Sequence, residues 1–122
     1  MARRSVLVVD DEPAVRELLK LHLANAGYEV RLAEDAIVAE RSLREAPPDV
    51  VVVDVALPYR GGLEFVAGLS ADDQLRRLPV IFITGHEGLA SGARALGAGY
   101  LQKPFAVDAL LDLVGRNVGE QR

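Results

Sequence analysis

The stretch SVLVVDDEP, Ser5 to Pro13, drives four apolar residues, Val6-Leu7-Val8-Val9, straight into Asp10-Asp11-Glu12 and a proline. A short, wholly apolar run of this kind suits a strand buried on both faces, the signature of a parallel sheet lying under helices. One acid at its end would serve as a helix cap. Adjacent acids need a further reason, because at about 4 Å a pair of like charges costs roughly 4 kcal/mol at an effective dielectric of 20.

Working outward, four more short runs follow the same plan. They are YEVRLA (residues 28–33), weaker and alternating; DVVVVDVAL (49–57), the most apolar; PVIFIT (79–84); and a short run inside GYLQKPF (99–105). Helical patterns separate them. Residues 13–26 place Val15, Leu18, Leu19 and Leu23 on one stripe, with Pro13 in the first turn and Gly27 just past the end. Residues 35–45 turn Ala36, Ala39 and Leu43 inward before Pro47-Pro48; residues 63–69 form a third helix, ragged through Asp72-Asp73. Residues 88–96 are rich in Ala and Gly and predict a weak fourth helix. Residues 107–118 carry Val107, Leu110, Leu111, Val114 and Val118 on a helical period. Five β-α repeats with right-handed crossovers give an α/β fold with a doubly wound, five-stranded parallel sheet.

Composition narrows the function. The chain has 122 residues, one domain's worth, and half of them are hydrophobic. Charged residues make up 26% and the net charge is −4, which argues against direct nucleic-acid binding. Cysteine is absent, so disulfides and thiolate metal sites are excluded. No apolar run approaches the roughly 18 residues of a membrane span, and the N-terminus has no signal-peptide core. A cytoplasmic domain with no membrane partner is expected.

Open α/β sheets bind ligands at the carboxyl ends of their strands. Strand 1 ends in Asp10-Asp11, strand 3 in Asp54 and strand 4 in Thr84, and Lys103-Pro104 follows strand 5. Three carboxylates, a hydroxyl and an ammonium therefore converge on one rim. Lys103 and a divalent cation would together balance the three acids. The donors are all oxygen, which favours Mg2+ over Zn2+. A carboxylate is also a competent nucleophile toward phosphorus, and Asp54, at the end of the most apolar strand, is the candidate. Lys103 would neutralise phosphoryl oxygens and Thr84 would donate its hydroxyl to them.

VLVVDDEP, VVVDVALPYRGG, PVIFITGH and YLQKPF, in this order, resemble the receiver domain of two-component response regulators. The resemblance spans essentially the whole chain. It implies a flavodoxin-like (βα)5 fold of strand order 2-1-3-4-5. It implies that Asp54 is the phosphoacceptor and that Asp10, Asp11 and Asp54 bind Mg2+, with Ala56 adding its backbone carbonyl. Lys103 would pair with the phosphoryl group, Thr84 and Tyr100 would form the switch pair, and the bond to Pro104 would be cis. The donor would be a phosphohistidine on a sensor histidine kinase or phosphotransfer protein. The face built by residues 88–96, strand 5 and the last helix would then shift to control an output domain or partner protein, or to form a phosphorylation-dependent dimer. Any output domain would have to lie outside the 122 residues, with residues 116–122 expected as the start of a linker or tail of the single domain. The only enzymatic chemistry expected is the domain's own phosphorylation and dephosphorylation.

Each residue taken singly has a plainer reading. Asp11 would cap the Pro13 helix, Asp54 would be a turn residue, Thr84 a strand-end hydroxyl, Lys103 a solvated charge and Tyr100 core. Glu12 belongs to the first turn of helix 1. His86 and Ala56 stand near the mouth of the site and would set water access. Two other function classes remain beside the switch: a receiver-like binding module that needs no phosphate, and an Mg2+-dependent aspartyl phosphatase. Such phosphatases place a second acid two residues after the nucleophile, where this chain has Ala56.

Overall fold

A computed structural model of the chain describes residues 3–57, 61–85 and 99–119. Five parallel strands, β1 (Ser5–Val9), β2 (Glu29–Ala33), β3 (Val50–Asp54), β4 (Val80–Thr84) and β5 (Gly99–Gln102), form one sheet in the order β2-β1-β3-β4-β5. The described helices are α1 (Pro13–Asn25), α2 (Ala36–Glu45), α3 (Gly62–Ser70) and the C-terminal helix (Val107–Gly119). The doubly wound fold expected from the apolar runs is present.

Alternation along a strand sends successive side chains to opposite faces, and here both faces are covered. Leu7, Val9, Val51, Val53 and Phe82 meet Ala39 and Leu43 of α2 and Phe65, Val66 and Leu69 of α3. Val6, Val8, Val50, Val52, Ile81 and Ile83 meet Leu19 and Leu23 of α1 and Leu110, Val114 and Val118 of the C-terminal helix. Two buried faces explain why β1, β3 and β4 read as unbroken apolar runs. β2 is an edge strand with a partly exposed pattern, which is why its sequence alternates.

Helix starts and stops follow local chemistry. Pro13 opens α1, and Gly27 takes a positive φ of 99° just past its end, a conformation that favours glycine. The N-cap of α1 is Glu12, and its side chain makes no capping bond. Asp11 is therefore not the cap, and Glu12 stands one position before the first turn. In α2 the Asp35 carboxylate accepts from the Val38 N–H at 2.9 Å. At its other end the Arg31 guanidinium donates to the Ser42 and Ala46 carbonyls, tying the helix terminus back to β2.

Two core expectations need correction. Leu18 is 53% exposed although its spacing put it on the α1 core stripe. It lies at the margin of a stripe whose buried members are Leu19 and Leu23. In the last helix Leu110, Val114 and Val118 are buried, while Val107 and Leu111 sit at the boundary. The expected helix at 88–96, and His86, lie outside the described residues.

Candidate functional site

The chemistry-bearing side chains stand where the strands end. β1 delivers Asp10, completely buried, and the turn after it presents Asp11 and Glu12, both exposed. β3 ends in Asp54, 4% exposed, and β4 in Thr84, fully buried. The Lys103 N–H donates to the Thr84 carbonyl at 2.7 Å, which seats the lysine beside the end of β4. The Lys103–Pro104 peptide is cis.

Lys103 joins the acids. Its Nζ lies 2.9 Å from Asp54 Oδ2, 3.2 Å from Asp10 Oδ2 and 3.6 Å from Glu12 Oε1. The remaining carboxylate oxygens are held by backbone. Asp10 Oδ1 accepts from the Glu12 N–H at 2.9 Å, and Asp54 Oδ1 from the Ala56 N–H at 2.9 Å. Asp10, Asp11, Glu12 and Asp54 each offer an oxygen within 4.8 Å of the others. A cleft of about 340 Å³ opens above them, lined by Asp11, Glu12, Asp54, Ala56, Gly85 and Lys103.

Among the described residues four acids face the Lys103 ammonium, and two of these groups have shifted protonation equilibria. Burial pushes the Asp10 carboxyl above its usual range, and the charge of Asp54 adds to this against the opposing Glu12 N–H and Lys103. Burial alone would lower Lys103, but its hydrogen bond to Asp54 and the charges of Asp10 and Asp54 outweigh that and raise it. Both groups lean toward keeping a proton, Asp10 chiefly through burial and Lys103 through its acidic partners. The donor set fits a hard divalent cation: every ligand is oxygen, the acids already converge, and the cleft leaves room for waters.

Asp10, Asp11, Asp54 and Lys103 are thus brought together, with Ala56 on the rim. Thr84 is buried at the adjoining strand end. Tyr100 packs against the α2–α3 side of the core and does not line the cleft; its buried hydroxyl makes no hydrogen bond among the described residues. Sequence reasoning left out three participants. Glu12 is a fourth acid of the cluster, Gly85 lines the cleft, and Arg16 Nη1 donates to the Asp10 carbonyl at 2.7 Å. Glu12 had a signal in its adjacency to the aspartates. A contact to a backbone carbonyl had none.

A doubly wound sheet of this strand order, with acids and a lysine gathered at its carboxyl edge, is the architecture of a two-component receiver. The chain belongs to the response regulator receiver domain family, whose model matches residues 6–115. It is 40% identical to the response regulator MprA of Mycobacterium sp. (strain KMS) over 111 residues, 87% of this chain and 46% of that protein. It is 37% identical to the C4-dicarboxylate transport transcriptional regulatory protein DctD of Pseudomonas aeruginosa over 124 residues, 99% of this chain and 26% of that protein. The chain therefore spans about half the length of MprA and about a quarter of DctD. Among solved structures, the chemotaxis response regulator CheY4 of Vibrio cholerae superposes with a TM-score of 0.87 at 33% identity, covering 95% of this chain and 99% of that one.

Proposed function

We propose that this receiver domain accepts a phosphoryl group on Asp54 from a phosphohistidine of a sensor kinase or phosphotransfer protein. The observation that carries the reading is Lys103 Nζ bridging Asp54 at 2.9 Å and Asp10 at 3.2 Å within the acid cluster. A lysine held there matches what phosphoryl transfer asks of a protein, which is positioning and charge neutralisation.

A carboxylate oxygen of Asp54 attacks phosphorus, forming an O–P bond as the P–N bond breaks, and the electron pair of that bond returns to the leaving imidazole. Asp10, Asp11, Asp54 and the Ala56 carbonyl would hold Mg2+. When bound, the cation supplies positive charge opposite the phosphoryl oxygens. Lys103 turns from the Asp54 carboxylate to the new phosphoryl group, and the Thr84 hydroxyl donates to it. Tyr100 follows Thr84, and the surface of β5 and the C-terminal helix reports the change to an output domain or partner. The domain occupies residues 1–122 and acts in the cytoplasm on no substrate other than its own aspartate; the linker expected from residue 116 does not begin there, since the C-terminal helix runs to Gly119 with Val118 buried in the core. Ala56, in place of a second acid, disfavours the phosphatase reading.

Intact mass after incubation with Mg2+ and a small acyl phosphate tests this. The wild-type chain is expected to gain one phosphoryl group and Asp54→Asn none. An unmodified wild type, or equal modification of both, defeats the assignment. Sustained turnover of many phosphomonoesters would favour the phosphatase instead.

A further inference from the structure

Arg16 of α1 makes two hydrogen bonds to the turn that carries Asp10 and Asp11. The Arg16 N–H donates to the Glu12 carbonyl at 3.0 Å, and Arg16 Nη1 donates to the Asp10 carbonyl at 2.7 Å. Pairing of β1 with β3 ends at Val9, so the Asp10 carbonyl lies past that ladder and needs another donor. The rest of Asp10 is already committed. Its N–H donates to the Ala33 carbonyl at 3.1 Å, and its two carboxylate oxygens accept from the Glu12 N–H and from Lys103. The Glu12 N-cap makes no side-chain bond that would hold the helix start by itself. Beside the apolar packing of Leu19 and Leu23 on β1, Arg16 is therefore a polar tie between α1 and the end of β1.

We infer that Arg16 is a positioning residue of the acid pocket. By gripping the Asp10 carbonyl it sets the direction in which the Asp10 and Asp11 carboxylates leave the turn, and so the affinity for the divalent cation. It acts through Asp10 and touches neither the cation nor the phosphoryl group. The inference rests on the function proposed above, since it assigns Arg16 to the metal-binding half of that site.

Charge and geometry make opposite predictions here. Removing a cation near four acids would tighten Mg2+ binding on Coulomb grounds. Losing an outer partner of a metal ligand weakens binding, typically about 10–100-fold. The test titrates Mg2+ into the metal-free full chain by calorimetry for wild type, Arg16→Met, Arg16→Gln and Arg16→Lys, with the thermal midpoint of each recorded without metal. Arg16→Met is expected to bind about 10-fold more weakly or worse, and Arg16→Lys, which restores a donor and the charge, to regain most of the affinity. Unchanged or tighter binding by Arg16→Met overturns the inference, whatever its thermal midpoint. If Arg16→Met does not fold, Arg16→Gln is judged by the same criterion. A wild-type chain that binds no Mg2+ overturns the functional reading and this inference together; a wild type that binds, beside variants that bind as well, overturns the inference alone.

Discussion

Lys103 is the residue on which the electrostatics of the pocket turn. Asp10 and Asp54 are buried, and its ammonium touches both. Replacing it with methionine leaves two carboxylates desolvated without that partner, a loss of about 1–3 kcal/mol. Lys103→Met should therefore unfold at lower denaturant than wild type in EDTA. Adding Mg2+ should then raise the midpoint of the variant by more than that of wild type, because the pocket has become more negative and binding to the native state stabilises it. Equal midpoints in EDTA would mean that the lysine is not what compensates the acids. At this scale the sequence was informative where a residue's type names its chemistry. Asp10, Asp54, Thr84 and Lys103 all reach the carboxyl edge that strand assignment alone predicts. Leu18 was misread because its helical spacing marks a stripe, not where the stripe ends.

At the scale of the element, α3 is held against the strand that carries Asp54. A methyl group on Gly62 would stand 2.4 Å from the Asp54 carbonyl oxygen and 2.7 Å from the Val55 Cα, and the Gly62 N–H donates to the Val55 carbonyl at 2.8 Å. Backbone cannot rotate away as a side chain can, so Gly62→Ala should cost about 1–3 kcal/mol and slow Asp54 phosphorylation. A urea midpoint equal to that of wild type would contradict this. A second tie joins α2 to the turn after α3. Asp72 accepts from the Gln74 N–H and from Arg44, each at 2.9 Å. The Gln74 N–H first, then the Arg44 bond, holds the Asp72 carboxyl below its usual value. An acid whose folded pKa is lowered adds stability above its unfolded value, near 3.9, and loses it as pH falls through the folded value. Asp72→Asn should be slightly less stable than wild type at neutral pH, and the gap should close in acid. A gap that does not narrow at all as pH falls below the unfolded value would show that charge is not its source. Neither device was legible in sequence. Gly62 matters through a close approach to another element, and the Asp72 partner on α2 is 28 residues away.

For the whole molecule, the acid pocket and the core make separate contributions. Asp10 and Asp11 lie at the rim of a sheet whose two buried faces are apolar. Changing both to asparagine should leave the fold intact, and in EDTA as stable as wild type or more so, since like-charge repulsion is relieved. Mg2+ at about 100 times its Kd should add roughly 2.7 kcal/mol to wild type and nothing to the double variant. Denaturant melts with and without Mg2+ check this; unfolding of the double variant would make the two aspartates structural.

The sequence by itself determined the parallel sheet with helices on both sides, because doubly buried strands must be apolar on both faces and helices carry their own period. It also determined which residues could do chemistry, because they follow the strands directly. Only the tertiary structure decided that Lys103 meets Asp10 and Asp54 across 93 and 49 residues, that Glu12 joins them, and that Arg16 grips a carbonyl. Those contacts depend on strand order and on how far α1 and α3 close on the sheet. Such distances are set by packing between elements, to which a local run of residue types is blind.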